Sequence, residues 1–145
     1  EPLINRHDII KIIRAKINFP KKIICGFSKL RNKEDPRNRN IPKVLINKKK
    51  ELIYISRAPI PASKDNKINK RNFLKQVCVY AFNRKELNDY HSKRKSNIEK
   101  IEDIEIIRFL EMDYKVKMVN LNSKNFAVDT IKDLKNLEKF IKKNK

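Results

Sequence analysis

A chain of 145 residues suits one domain with a single buried core. The 39% of apolar residues come in short runs. None approaches the roughly 20 needed to cross a bilayer, and the start carries no signal-peptide pattern. These features predict a soluble, cytoplasmic protein without a membrane partner. The formal charge of +20 and the pI of about 10.1 raise a small nucleic-acid-binding protein as an alternative. Against it, the lysines are dispersed through every segment and accompany abundant Ile and Asn, residues whose codons are all A/T-rich. Biased composition therefore accounts for the charge, and no nucleic-acid partner is expected. The charge would still draw anionic small ligands.

In chain order, residues 5–15 predict a helix, with Ile9, Ile10, Ile12 and Ile13 as its apolar stripe and Asp8 in the first turn. Residues 22–28 read as a buried strand and residues 32–40 as a polar loop. Residues 43–47 and 51–56 form a hairpin pattern around Lys48-Lys49-Lys50, without the usual Asn-Gly turn. Pro59 and Pro61 interrupt regular structure, and residues 62–71 are polar and expected to be mobile. Residues 75–82 form a β run and residues 83–90 a short helix. A single longer helix is predicted over 96–113, with Ile98, Ile101, Ile104, Ile107 or Phe109, and Leu110 facing inward. Residues 115–121 predict a strand, and a last helix runs from 129 to about 143 with Ile131, Leu134, Leu137 and Ile141 inward. Strands interspersed with helices give an α/β class, a mixed sheet with flanking helices.

The only glycine is Gly26, which excludes a Gly-rich phosphate loop within these residues. Cys25 and Cys78 sit in apolar strand-like runs and are expected to be buried and reduced. Three groupings could carry chemistry. Asp129 and Thr130 open the last helix, where Asp129 can cap it or hold a hard cation such as Mg²⁺. Glu102, Glu105 and Arg108 are spaced three apart and can share a face. They form either a solvated set of ion pairs or, with Glu105 between Ile104 and Ile106, an acceptor for sugar hydroxyls. Arg57 ends a strand before rigid prolines, placed either at a surface turn or for a bidentate grip on an anion.

In this order the motifs resemble the second half of the 3-deoxy-manno-octulosonate cytidylyltransferase family. Glu1-Pro2-Leu3-Ile4 is similar to the end of its Gly-Asp-Glu-Pro segment, and Asn38-Arg39-Asn40-Ile41-Pro42-Lys43-Val44 to its Asn-Pro-Asn-x-Val-Lys-Val. Tyr54-Ile55-Ser56-Arg57-Ala58-Pro59-Ile60-Pro61 resembles Tyr-Phe-Ser-Arg-Ala-x-Ile-Pro, the most specific match. The run from Phe73 to Phe82 resembles a strand ending in an aromatic pair. The run from Glu102 to Arg108 resembles Glu-x-Leu-Glu-Gln-Leu-Arg, and that from Val128 to Leu134 resembles Val-Asp-Thr-Pro-Glu-Asp-Leu.

The resemblance implies the C-terminal part of a Rossmann-like, glycosyltransferase-A-like nucleotidyltransferase fold. Residues 1–145 would form its sugar-binding and dimerisation portion, in a homodimer. It implies transfer of CMP from CTP to an acidic sugar, with pyrophosphate leaving and Mg²⁺ assisting. By position, Arg57 and Lys64 would meet the sugar carboxylate, Gln76, Tyr80 and Glu105 its hydroxyls, and Asp129 the metal. Three positions depart from the family pattern: Lys64 replaces an arginine, Gln76 a histidine, and Ile106 a glutamine. Such changes in a polar pocket point to a related acidic sugar as an alternative substrate. The family's nucleotide loop lies outside these residues, so this chain by itself is expected to lack transferase activity.

Overall fold

The computed structural model describes residues 4–65, 69–122, 128 and 131–143. Its elements are α1 (Arg6–Asn18), β1 (Ile23–Lys29), β2 (Lys43–Ile46), β3 (Leu52–Ser56), β4 (Leu74–Ala81), α2 (Arg84–Ser92), α3 (Asn97–Glu102), α4 (Ile106–Glu111), β5 (Val116–Asn120) and α5 (Ile131–Lys143). The strands form one mixed sheet in the order β3-β2-β4-β1-β5. Strand β1 runs antiparallel to β4 and parallel to β5, while β2 is antiparallel to both β3 and β4. The α/β mixed-sheet expectation therefore holds.

Strand β1 is buried on both faces, which is why it reads as a continuous apolar run. One face carries the main core, where Ile23, Cys25, Phe27, Val44 and Ile55 meet Ile104, Ile106, Ile107 and Phe109. The other face joins Ile24, Val77 and Leu121 to Ile12 of α1. Of the predicted α1 stripe, Ile12 is buried, while Ile9 and Ile13 are exposed. The inward line is Asp8, Ile12 and Ala15, at helical spacing. Asp8 belongs to it because its Oδ2 accepts the Asn122 N–H at 3.0 Å.

The hairpin between β2 and β3 forms without Asn-Gly. Lys50 adopts the left-handed region with φ 56, and Asn47 Oδ1 accepts the Glu51 N–H at 2.9 Å. The hairpin tip then reaches the opposite sheet edge, where the Met118 N–H donates to Lys50 O at 2.8 Å.

The helix predicted over 96–113 is two helices. Asp103, at φ 50 and ψ 53, ends α3, and α4 starts in a new direction at Ile106. In one continuous helix, residues 104, 106, 107 and 109 would spread over about 220° of the circumference; the break lets all four enter the core. Ile98 and Ile101 are exposed instead, Ile101 by 82%. Arg108 also finds a different partner from the Glu105 suggested by spacing. It grips buried Glu99 through Nε at 2.6 Å and Nη2 at 2.7 Å. Its Nη1 donates to Tyr90 O and Lys93 O, each at 3.0 Å, and its guanidinium lies 3.9 Å from the Tyr90 ring centroid. One cation thus ties α2, α3 and α4 together.

Two further expectations are corrected. Of the four α5 residues expected to face inward, Leu137 is buried, while Ile131, Leu134 and Ile141 are exposed. Cys25 is buried as expected, but Cys78 is exposed. The cause is a bulge: Cys25 pairs with Tyr80 and Gly26 with Val77, so Cys78 and Val79 are extra residues on β4.

Beside the bulge, a Cβ on Gly26 would stand 2.5 Å from Leu121 Cδ1 and 3.0 Å from Val77 O. Gly26→Ala is therefore expected to lower the unfolding free energy by about 1–3 kcal/mol through overpacking, read as a reduced urea midpoint. The Glu99 carboxyl titrates below the ordinary carboxylate range because Arg108 hydrogen-bonds its charged form, against the opposing effect of burial. A depressed folded value means the pair stabilises fully above the unfolded value of about 4.3 and is lost as pH falls through the folded one. Urea midpoints followed into acid should fall over that range, and Glu99→Gln should flatten this part of the slope while lowering stability at neutral pH.

Candidate functional site

Strand β4 carries Gln76 and Tyr80 toward the main-core face, as their pairing with Phe27 and Cys25 requires. Gln76 is buried, and its Nε2 donates to Tyr80 Oη at 2.6 Å and to Cys25 Sγ at 3.9 Å. Burial, with Cys25, Cys78 and Glu105 nearby, pushes the Tyr80 phenol far above its ordinary value, so it stays neutral. The Cys25 thiol is likewise pushed up to about 12, chiefly by burial.

An aromatic stack links this strand to α4. Tyr80 and Phe82 have ring centroids 5.6 Å apart, and Phe82 and Phe109 are 5.2 Å apart. Phe109 is the fourth residue of α4, so the stack fastens that helix to β4. Glu105 stands at that beginning, close enough for its charge to act on Tyr80. Its carboxylate makes no capping bond to the helix and is exposed, so it is available to a ligand.

Arg57 holds the other side of the same corner. Its Nε donates to Glu102 O at 2.5 Å, Nη2 to Asp103 O at 2.9 Å, and Nη1 to Arg39 O at 3.0 Å. The α3 carbonyls exposed by the break at Asp103 thus receive a cationic cap. These bonds use three of the five guanidinium N–H groups; Nη2 also lies 3.9 Å from the Asp103 carboxylate, and a second N–H remains on Nη1. The Glu102 carboxylate latches the strand end, accepting Ser56 Oγ at 2.6 Å and the Arg57 N–H at 2.9 Å. Beneath them lies wholly buried Lys43, whose Nζ donates to Arg57 O at 2.6 Å and Asn38 O at 3.0 Å. Burial lowers its ammonium to about 8, with the Arg57 charge adding to the effect and Glu102 opposing it.

The fold therefore brings together Gln76, Tyr80 and Glu105, with Arg57 fastened to the same 102–105 corner. Lys64 lies in an exposed turn and makes no hydrogen bond or ion pair with them among the described residues. Asp129 lies outside the described residues. Two contributors escaped sequence reasoning. Glu102 was read as one member of an exposed i, i+3 set, and Lys43 as a hairpin lysine. For both the available signal is the resemblance itself: Glu102 opens the Glu-x-Leu-Glu-Gln-Leu-Arg match, and Lys43 falls on the lysine of Asn-Pro-Asn-x-Val-Lys-Val.

Residues 1–126 match the family described as cytidylyltransferase. Among curated relatives, the 3-deoxy-manno-octulosonate cytidylyltransferase of Christiangramia forsetii is 31% identical over 97% of this chain and 58% of its own length. That of Fusobacterium nucleatum is 32% identical over 99% of this chain and 58% of its own length. The chain thus spans a little over half the length of these relatives. A solved CMP:2-keto-3-deoxy-manno-octonic acid synthetase complexed with CTP superposes over 100% of this chain and 59% of its own, with TM-score 0.86 at 22% identity. A 4-diphosphocytidyl-2C-methyl-D-erythritol synthase from Anaerococcus prevotii does so over 97% of this chain and 54% of its own, with TM-score 0.54 at 16% identity. At those identities the likeness is one of fold.

The latch predicts its own weak point. Glu102→Ala leaves the Ser56 hydroxyl and the Arg57 N–H without their acceptor and should cost about 1–3 kcal/mol. A urea titration measures the loss, and hydrogen exchange should show faster exchange at the Arg57 amide. Glu102→Gln, which keeps one acceptor oxygen, should cost less.

Proposed function

The chain belongs to the cytidylyltransferase family, and from that premise we propose that it is the sugar-binding part of an enzyme that moves CMP from CTP to an acidic sugar. The substrate is 3-deoxy-manno-octulosonate or a related sugar acid. The reading is supported by one observation above the others: Gln76 and Tyr80 meet on one sheet face within reach of the Glu105 charge, and Arg57 is fixed to the corner that carries Glu105.

Each group suits its role. Arg57 offers its remaining Nη1 N–H to the sugar carboxylate, a charge-assisted contact. The rest of its guanidinium is already locked in place, so little ordering entropy is lost on binding. Neutral Tyr80 and the Gln76 amide give and take hydrogen bonds with hydroxyls, and the Glu105 carboxylate accepts them. Lys64 supplies a second cation for the carboxylate. The anomeric hydroxyl then attacks the α-phosphorus of CTP. A new O–P bond forms, the bond to the β-phosphate oxygen breaks, and pyrophosphate leaves. In this reading Asp129 is a ligand of Mg²⁺, which takes hard carboxylate, phosphate and water oxygens and offsets charge on the phosphates. In this reading the CTP site lies outside these residues. The working enzyme is taken to be a cytoplasmic homodimer, its product an activated sugar for cell-surface polysaccharide.

Isothermal titration of the chain with 3-deoxy-manno-octulosonate tests the reading. Binding is expected, with Arg57→Ala and Glu105→Ala each weakening it at least about tenfold, the 1.4 kcal/mol of one charge-assisted hydrogen bond. A neutral sugar of the same size should not compete, whereas other eight- and nine-carbon keto acids report on specificity. Absence of sugar-acid binding, or binding indifferent to both substitutions, would end the proposal.

A further inference from the structure

The turn that carries Arg39 is pinned from both flanks, while the arginine itself is open. The Ile41 N–H donates to Asn38 O at 3.2 Å, which makes Arg39 and Asn40 the central residues of a β-turn. Asn38 Oδ1 accepts the Asn40 N–H at 3.0 Å, and Asn38 O also accepts buried Lys43 Nζ at 3.0 Å. The Arg39 carbonyl accepts Arg57 Nη1 at 3.0 Å. Arg39 is exposed, and among the described residues its guanidinium enters no hydrogen bond or ion pair. Neighbouring Arg37, by contrast, is occupied by Asp35 at 3.0 Å. The Asn-Pro-Asn motif that this segment resembles has proline at the same place, the first central position of a turn; this chain keeps the turn and adds a cation.

That turn lies on the side of Arg57 that an anion must approach. Nη2 is held by Asp103 O at 2.9 Å with the Asp103 carboxylate 3.9 Å away, so a second carboxylate is repelled there. The open donor is the second N–H of Nη1, the nitrogen that already holds the Arg39 carbonyl. Two acceptors on one such nitrogen lie about 5 Å apart. A carboxylate received by Arg57 therefore comes to rest beside residue 39. We propose that Arg39 is a specificity residue of the sugar-acid site, closing with Arg57 on the substrate carboxylate. This rests on reading Arg57 as the carboxylate ligand. A planar guanidinium suits that contact, and two of them on one end of the site select an ionised acid over a neutral group of the same shape.

Calorimetry with 3-deoxy-manno-octulosonate and with its carboxamide separates a ligand contact from a support of the turn. Arg39→Ala and Arg39→Pro should each weaken binding of the acid about fivefold, the scale of one solvent-accessible charged contact, and Arg39→Lys should weaken it less. The proline variant costs the turn no hydrogen bond, because among the described residues the Arg39 N–H makes none. The carboxamide should bind the variants and the unchanged chain alike. Arg14→Ala, on the α1 side of the sheet, should leave the acid's affinity unchanged, which separates a local contact from the general field of a chain of formal charge +20. Acid binding indifferent to the loss of Arg39, an equal loss for acid and carboxamide, or an equal loss with Arg14→Ala would each overturn this inference. The sugar-acid reading would survive any of these if Arg57→Ala still weakened binding. If the unchanged chain binds no sugar acid, both fall together.

Discussion

Two arginines hold the short corner between α3 and α4, and the candidate site depends on that grip. A left-handed residue at Asp103 leaves the α3 carbonyls open, and Arg57 closes on two of them. The same break turns α4 so that Arg108 reaches back to Glu99 and across to the end of α2. Removing Arg108 would strand the buried Glu99 carboxylate, a cost larger than the pair's net gain on forming, and removing Arg57 would open the carbonyls of Arg39, Glu102 and Asp103. The corner is therefore specified by complementarity: few other arrangements satisfy all of its donors and acceptors at once. Glu105, on that corner, inherits its position.

The acids of this chain are scarce, 17 against 37 lysines and arginines, and several are buried. Asp8, Glu86 and Glu99 are almost wholly enclosed, and each accepts from a partner fixed by the fold. Glu86 caps α2 and takes both oxygens' worth of contact from Lys16 at 2.7 Å. Among the buried cations, Lys43 is held by carbonyls and Lys75 by Glu34 at 2.6 Å. Such placements are costly unless every hydrogen-bonding group is met, and here they join elements distant in sequence. Much of the remaining basic excess is exposed, which suits a surface that attracts anions.

How much could be read in advance divides along the range of the interactions involved. Strand β1 and the β2–β3 hairpin announce themselves locally, the first by an unbroken apolar run and the second by two short β-rich segments. Helix α1 was legible in place and length but not in orientation. Asp8 takes an inward position because a backbone N–H from residue 122 waits there, and no local pattern reports that. The break at Asp103 was missed for a related reason. Residues 96–113 have good helical character throughout, and what stops the helix is the gain from burying Ile104, Ile106, Ile107 and Phe109 together. Cys78 looked like a core strand residue until the bulge turned it outward.

For the site, the sequence by itself determined the chemical vocabulary and its order along the chain: an arginine ending a strand, an amide and a phenol four apart on another, a glutamate opening a helix. Those types and spacings are local properties, set by covalent order. Only the tertiary structure decided that Gln76 and Tyr80 meet within reach of the Glu105 charge, that Arg57 is braced by three carbonyls, and that Glu102 and Lys43 support it. Those outcomes come from strand register, the aromatic stack and the turn at Asp103. Each arises from contacts between residues far apart in the chain, whose energies balance only once the whole core has closed.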